Sequence, residues 1–216
     1  MEHRVGWNIV ADGRCAGAVT DELLVLACAM PAGHDEGFRQ SRLLAQQFCD
    51  RAVEAAAVLD DELLVAIART LLSKQPWIDW HLSFCMARRV NGRLQAFNCG
   101  ITGLLRIAGS SFLCPLLVPQ TLGAKLRGEG VASVPPYVAA VAATLAGKDL
   151  ATTELATALL DDREPANLIA VADPCFFDAL QAEVMDDYST PALRAVVARA
   201  ASALKSAESS FIVWAG

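Results

Sequence analysis

Cysteine and histidine lie close together in one short segment of this sequence, and this pair of residue types could support chemistry. Residues 26–37 read LACAMPAGHDEG, in which Cys28 lies in an apolar run and His34 precedes Asp35 and Glu36. A cysteine near a histidine can become a thiolate nucleophile or bind a soft metal ion. No third ligand or orienting acid stands out, although the two acids are adjacent. The simpler interpretation is a buried cysteine followed by an exposed loop histidine.

Two acids of the C-terminal part stand beside predicted strands. Asp173 follows the apolar run 167–172 and precedes Pro174. Aspartate caps helix N-termini, and proline is favoured at the first helical position, so this pair is typical of a strand-to-helix junction. Glu208 precedes the apolar run 210–214 and is typical of a solvated residue between a helix and a strand.

The charge balance argues against nucleic acid as a partner. The chain has 24 acidic and 18 basic residues, with a formal net charge of −6. Proteins that bind a phosphate backbone or an anionic membrane carry a basic surface. The Arg88–Arg89 pair near a predicted hairpin turn is expected to be solvated, and it could mark a partner surface.

Hydropathy and cysteine usage predict a soluble cytoplasmic protein without a membrane partner. The longest uncharged runs, 107–124 and 131–147, contain proline and polar groups, whereas a spanning helix needs about 20 mostly apolar residues. The N-terminus lacks a signal-peptide pattern. Seven cysteines, an odd number without a C-x-x-C pair, are typical of buried thiols in a reducing compartment.

The first half of the chain predicts strands and helices that do not alternate regularly. Strands are expected at 5–11 and 22–30, joined by a glycine-containing loop, and the second run is apolar enough to be buried on both faces. Apolar residues at three- and four-residue steps predict a helix over 38–56. A second helix, starting at Asp60, should pack antiparallel to the first.

The middle of the chain predicts an antiparallel meander. Residues 81–87 and 93–99 alternate around Asn91-Gly92, which is a strong signal for a two-residue hairpin, and two further strands follow up to residue 116. Residues 117–136 read as irregular, 137–146 as a helix, and 152–160 as either state.

The last part predicts a strand at 167–172, helices from Asp173 to about residue 186 and from Ser189, and a final strand at 210–214. The whole order indicates one α+β domain over 1–216, with two sheets packed on each other and helices outside.

Five segments in this order resemble motifs of the metal-dependent protein phosphatases of type 2C (PPM-type). Residues 26–37 are similar to the turn V-A-D-G-M-G-G-H-x-x-G of that family if one residue is inserted. Residues 8–10 stand where the family has N-[EQ]-D, and 100–105 where it has G-D-S-R-x-Y. Residues 172–174 correspond to S-D-G, and 208–213 to D-N-x-T-V-V. The resemblance implies a four-layer α-β-β-α sandwich, two antiparallel sheets flanked by helix pairs.

The acids that hold metal in that family are largely replaced here. Cys28 stands where an aspartate bridges two divalent cations, and Ala29 where a glycine carbonyl binds metal. Ile9-Val10 and Ile101 stand at further acidic positions. The resemblance leaves Asp173 and Glu208 as vestigial metal positions, and it assigns no catalytic and no cofactor-binding residue.

Magnesium and manganese need several oxygen ligands, and a two-metal hydrolase needs two complete shells. The resemblance therefore predicts no cofactor and a catalytically inactive domain, a pseudophosphatase that acts as a binding or regulatory protein with a protein partner. The alternative is a divergent serine/threonine phosphoprotein phosphatase using Mn or Mg with Asp173, Glu208 and the acids of the 34–36 loop. A third possibility is an accidental similarity in an unrelated α+β ligand-binding domain, which would lack the paired central sheets.

Overall fold

Two antiparallel five-stranded sheets are formed by strands from both ends and the middle of the chain. The structure is a computed structural model that describes residues 6–10, 14–31, 38–74, 79–108, 111–121, 126, 128–131, 147, 149–152, 155–161, 168–172, 195, 198–199 and 210–215. The strands in this part of the chain are Gly6–Val10 (β1), Cys15–Val19 (β2), Leu23–Pro31 (β3), Trp80–Val90 (β4), Arg93–Cys99 (β5), Gly103–Ala108 (β6), Ser111–Leu117 (β7), Ala156–Asp161 (β8), Leu168–Ala172 (β9) and Ser210–Ala215 (β10). The helices are Phe38–Glu54 (α1) and Asp61–Ser73 (α2).

The first sheet has the strand order β2-β3-β4-β5-β8, and the second has the order β1-β10-β9-β6-β7. The second sheet therefore places the N-terminal strand beside the C-terminal one, with Trp7 opposite Val213. The predicted α+β class with two antiparallel sheets packed on each other is confirmed.

Strand β3 is the centre of the first sheet because its sequence can be buried on both faces. Every residue from Leu23 to Ala29 is at most 1% exposed. Val25 and Ala27 belong to a cluster with Phe48 of α1, whereas Leu24 and Leu26 belong to one with Leu104 of the second sheet. Alternate residues of a strand point to opposite faces, so one face of β3 meets the helices and the other meets the second sheet.

The two helices cover the outer face of the first sheet, as the sequence predicts. Phe48 of α1 stacks on Phe84 of β4 with ring centroids 4.6 Å apart. The predicted start of α2 is also confirmed, because the Oδ1 atom of Asp60 accepts the backbone N–H of Leu63 at 2.8 Å. This bond satisfies one of the unpaired amides at the helix N-terminus.

The predicted hairpin between β4 and β5 is confirmed. Asn91 and Gly92 have φ angles of 52° and 72°, and Val90 pairs with Arg93. Two consecutive positive φ values define the tight hairpin turn that Asn-Gly favours.

Three expectations are wrong or are resolved by the structure. Residues 15–19, predicted as part of a loop, form β2, which pairs with β3 in a continuous register that includes Gly17 opposite Leu26. The predicted meander is not one sheet, because the chain crosses after β5 and β6 joins the second sheet. The segment left as either state, 152–160, contains all of β8 except its last residue, and β8 pairs with β5.

Arg88 was predicted to be solvated, and this prediction is wrong. Its side chain lies in a buried position, where Nε donates to Oε1 of Gln95 at 2.9 Å and a terminal nitrogen donates to the carbonyl of Ala56 at 3.0 Å. This residue therefore ties the sheet to the turn between the helices.

The helices predicted at 137–146 and from Asp173 lie outside the described residues, and of the helix predicted from Ser189 only Ala195, Ala198 and Arg199 are described, all helical. In the described part of the chain, no helix is both long enough and apolar enough to cross a membrane.

Candidate functional site

The strands that carry the motifs come together where the two sheets face each other. Strand β1, with Ile9 and Val10, lies against β2. Strand β10 lies against β2 and β3, and β9 also lies against β3. Four sequence segments that are far apart in the chain are thus brought to one region around β3.

Cys28 lies on the inner face of the first sheet, between the two sheets. It stands opposite Cys15 of β2 and opposite Ser83 of β4, and it is 1% exposed. Its cluster consists mainly of aliphatic side chains, including Leu26 of its own strand and Leu104 of the second sheet. The position is therefore a desolvated, largely apolar one.

Ser83 holds the chain where it crosses from the first sheet to the second. Its hydroxyl donates to the carbonyl of Cys99 at 3.0 Å and accepts the backbone N–H groups of Ile101 at 2.7 Å and Thr102 at 3.3 Å. Ser83 is fully buried, so these bonds are protected from water. The side chain of Ile101 packs against the cluster that contains Cys28.

A second set of hydrogen bonds supports the same crossing. The amide nitrogen of the Asn98 side chain donates to the carbonyl of Val118 at 3.2 Å. Gly100 donates its N–H to the Gln120 side chain, and its carbonyl accepts the N–H of Gln120, both at 2.7 Å. Gly100 has φ of 88°, a left-handed conformation that glycine adopts without strain.

Gly103 begins β6 at a close approach of two chain segments. A Cβ atom at this position would lie 2.7 Å from Cδ of Pro119 and 2.9 Å from the carbonyl oxygen of Leu117. Only a residue without a side chain fits here, and β6 can therefore run directly beside residues 117–119.

The described residues do not fit a binuclear site for hard cations. Cys28 supplies a buried thiol, and Ile101 offers no side-chain donor. Among the residues that the structure describes, no group of three or more His, Cys, Asp or Glu side chains is placed to hold a metal ion. Magnesium and manganese are bound by converging oxygens, which the thiol and the aliphatic side chain do not provide.

The two predicted metal positions lie outside the described residues. Asp173 comes directly after β9, and Glu208 comes two positions before β10, so each is next to a strand that lies against β3. Of the proposed Cys28–His34 pair, Cys28 is buried as the simpler interpretation predicts, and His34 is outside the described part.

Three buried polar residues, Ser83, Asn98 and Thr102, were not predicted from the sequence. All three are fully buried, and the Thr102 hydroxyl lies 3.4 Å from both Ser83 Oγ and Asn98 Oδ1. A polar residue within the otherwise apolar run 82–87 is the signal that could have found Ser83, because a buried hydroxyl needs partners.

Replacing Ser83 by alanine should lower the free energy of unfolding by about 2 kcal/mol, because the buried N–H of Ile101 and carbonyl of Cys99 lose their partner. Urea unfolding followed by circular dichroism measures this change. Ser73→Ala is the matched control, since Ser73 donates a single bond to Thr70 in an exposed position. An equal loss in the two variants would contradict the assigned role.

No protein-family model and no curated protein sequence matches this chain, but solved structures do. The Mycobacterium tuberculosis serine/threonine phosphatase PstP/Ppp is similar with a TM-score of 0.70 at 12% identity, over 99% of this chain and 97% of that one. A structure of the PstP catalytic domain with two manganese ions has the same TM-score at 14% identity, over 99% and 96%.

PppA, described as a key regulatory component of T6SS in Pseudomonas aeruginosa, is similar with a TM-score of 0.65 at 15% identity, over 99% of this chain and 97% of that one. At these identities the similarity concerns the fold, and it extends over nearly the whole chain. The chain therefore has the fold of the PPM-type serine/threonine phosphatases.

Proposed function

We propose that this chain is a pseudophosphatase, a phosphatase-like domain that acts by binding another protein instead of by metal-dependent hydrolysis. The observation that carries the proposal is the burial of Cys28, which stands where the resembled motif has the bridging aspartate and is 1% exposed in a largely aliphatic cluster. A hydrolase of this fold needs two cations to generate hydroxide and to stabilise the attacking and leaving oxygens of the displacement. A buried thiol at this position supports a role of the region in packing instead of in metal binding.

The crossing segment supports the same proposal. The backbone N–H groups of Ile101 and Thr102 are bound by the buried hydroxyl of Ser83, and the Ile101 side chain packs inward. These contacts fill the region with apolar and hydrogen-bonded groups. The net charge of −6 favours a protein over a nucleic acid as the partner.

Metal titration with a phosphatase assay tests the loss of catalysis. We expect isothermal titration calorimetry to show no saturable binding of Mn²⁺ or Mg²⁺, since two of the oxygen ligands are replaced by Cys28 and Ile101. Hydrolysis of para-nitrophenyl phosphate should not exceed that of the Asp173→Asn variant. The M. tuberculosis phosphatase of the same fold serves as the positive control.

The second candidate, a divergent metal-dependent phosphatase, is favoured by one observation. The fold is also that of a domain crystallised with two manganese ions, and Asp173 directly follows a strand that lies against β3. Stoichiometric Mn²⁺ binding, together with turnover that Asp173→Asn abolishes, would establish this candidate and refute the first. Recovery of one protein in stoichiometric amount with the tagged chain from its host would support the binding role.

A further inference from the structure

Cys15 and Cys28 face each other across the first two strands of the first sheet. They are register partners in the antiparallel pair β2–β3. The neighbouring pair, Arg14 and Ala29, is joined by a backbone hydrogen bond of 3.1 Å from the Ala29 N–H to the Arg14 carbonyl. Hydrogen-bonded and non-hydrogen-bonded pairs alternate along an antiparallel ladder, so Cys15 and Cys28 form a non-hydrogen-bonded pair.

This kind of pair brings two side chains close together on one face of the sheet. The Cα atoms of a non-hydrogen-bonded pair are about 4.5 Å apart. A disulfide joins residues whose Cα atoms are roughly 4.4 to 6.8 Å apart. The two thiols can therefore be joined while the β2–β3 ladder stays in place.

Three other described cysteines are poorly placed to compete, and one of them, Cys99, belongs to the cluster on the helix-covered face, away from Cys28. Cys85 lies two residues beyond Ser83, the register partner of Cys28, so it is a diagonal neighbour at about 7–8 Å, beyond disulfide reach. Cys49 belongs to the cluster on the helix-covered face, where its thiol donates to the carbonyl of Ala16. Burial also raises the pKa of the Cys49 and Cys85 thiols well above the ordinary value, which makes them weak nucleophiles near neutral pH.

Access to the pair depends on strand β2. Cys15 and Cys28 are 2% and 1% exposed, so an oxidant does not reach them in the closed structure. Strand β2 lies at one edge of the first sheet, where it is hydrogen-bonded to β3. Edge segments open locally at a lower free energy than central strands. Strand β2 also packs against β1 and β10 of the second sheet, so both thiols become exposed together when β2 separates from these neighbours.

We propose that Cys15 and Cys28 form a reversible thiol–disulfide site that reacts with small disulfide oxidants such as oxidised glutathione. The thiolate of one cysteine attacks the glutathione disulfide, which releases one reduced glutathione and leaves a mixed disulfide. The thiolate of the second cysteine then attacks the mixed disulfide, releases the second glutathione and forms the bond between β2 and β3. The two cysteines are oxidised, and the glutathione disulfide is reduced. The proposal holds for an active or an inactive phosphatase domain, so it does not depend on the function proposed above.

The test is oxidation of the native full-length protein with oxidised glutathione, followed by intact mass measurement and peptide mapping without reductant. We expect the loss of two hydrogen atoms and one crosslinked peptide pair that contains residues 15 and 28. The oxidised protein should have a Tm roughly 5 °C higher, because the crosslink removes freedom from the unfolded chain. Dithiothreitol should reverse both changes.

Three variants identify the partners. Cys15→Ala and Cys28→Ala should each retain a glutathione adduct in place of the internal crosslink, whereas Cys49→Ala should form the crosslink as the unaltered chain does. If a variant does not fold, the peptide map of the unaltered protein is sufficient. Absence of the crosslink after native oxidation, a crosslink between other cysteines, or a crosslink that forms only in denaturant would overturn the proposal.

Discussion

The Cys28→Asp variant is expected to lose about 4 kcal/mol of unfolding free energy at pH 7. The change places a carboxyl group where the side chain is 1% exposed and surrounded mainly by aliphatic groups. Burial without a partner can raise a carboxyl pKa by about 3 units, and each unit corresponds to roughly 1.4 kcal/mol. Urea unfolding at pH 7 measures the loss.

The pH dependence of this variant follows from the direction of the shift. A raised pKa in the folded state means that the penalty grows as the pH rises above the ordinary aspartate value of about 4 and nearly disappears below it. Only the charge penalty disappears at pH 4, so the variant should approach the stability of Cys28→Asn there. Cys28→Asn introduces a polar group of the same size without charge, and its loss should be independent of pH in this range.

Manganese separates the two functional proposals in the same variant. If Asp173 and Glu208 formed a latent site with the new carboxylate, Mn²⁺ would compensate the new charge and raise the Tm of Cys28→Asp well above that of Cys28→Asn. For each of the two variants, we expect the Tm with Mn²⁺ to equal the Tm without it. A selective increase for the aspartate variant would contradict the pseudophosphatase proposal.

Stability should also fall steeply in alkaline solution, by about 3 kcal/mol between pH 8.5 and 10. Burial raises the pKa of the Cys49 thiol, and the nearby Asp50 carboxylate raises it further, while burial alone raises that of Cys85. Above the ordinary thiol pKa of about 8.5, the unfolded chain releases protons that the folded chain keeps, so unfolding becomes easier as the pH rises. Urea titrations across this pH range measure the slope.

Single replacements isolate the two thiols from the other groups that titrate at high pH. Cys49→Ala and Cys85→Ala should each reduce the alkaline loss by about half of the two-thiol contribution, and the double variant should remove it. Ser73→Ala, at an exposed helix position, should leave the slope unchanged. An identical slope in all four proteins would show that neither thiol titrates on unfolding in this range.

Local sequence patterns predicted much of the fold because the long elements have strong periodicity. The apolar run of β3, the helical stripe of α1 and the Asn91-Gly92 turn each carry their own signal, and each is confirmed. The order of these elements also indicated the paired sheets. What local patterns specify is the state of a segment and the face that it buries.

The predictions from sequence were wrong where the structure of a segment depends on contacts with residues far away in the chain. Gly17 suggested a loop, but pairing with the strong strand β3 makes residues 15–19 a strand, as tertiary context overrides local preference. The crossing between β5 and β6 depends on Ser83 and Gln120, which are 18 and 20 residues from the amides that they bind. Local sequence around Gly100 carries no information about which sheet the next strand will join.

Of the candidate site, the sequence predicted only the positions where acidic residues of the resembled family are replaced. The sequence located Cys28 and Ile101 at the places of missing acids, and the structure adds that both pack into the layer between the sheets. The polar network of Ser83, Asn98 and Thr102 escaped prediction because isolated polar residues have no periodicity.

The close approach of Gly103 to residues 117–119 limits how hydrolytic activity could be engineered into this protein. The corresponding residue of the resembled motif is an arginine, and any side chain here would collide with Pro119 and with the Leu117 carbonyl. Grafting the motif residue by residue would therefore fail until the 117–119 segment was rebuilt as well. Recovery of hydrolysis would take coordinated changes in two segments. More substitutions are therefore needed than the number of missing acids suggests.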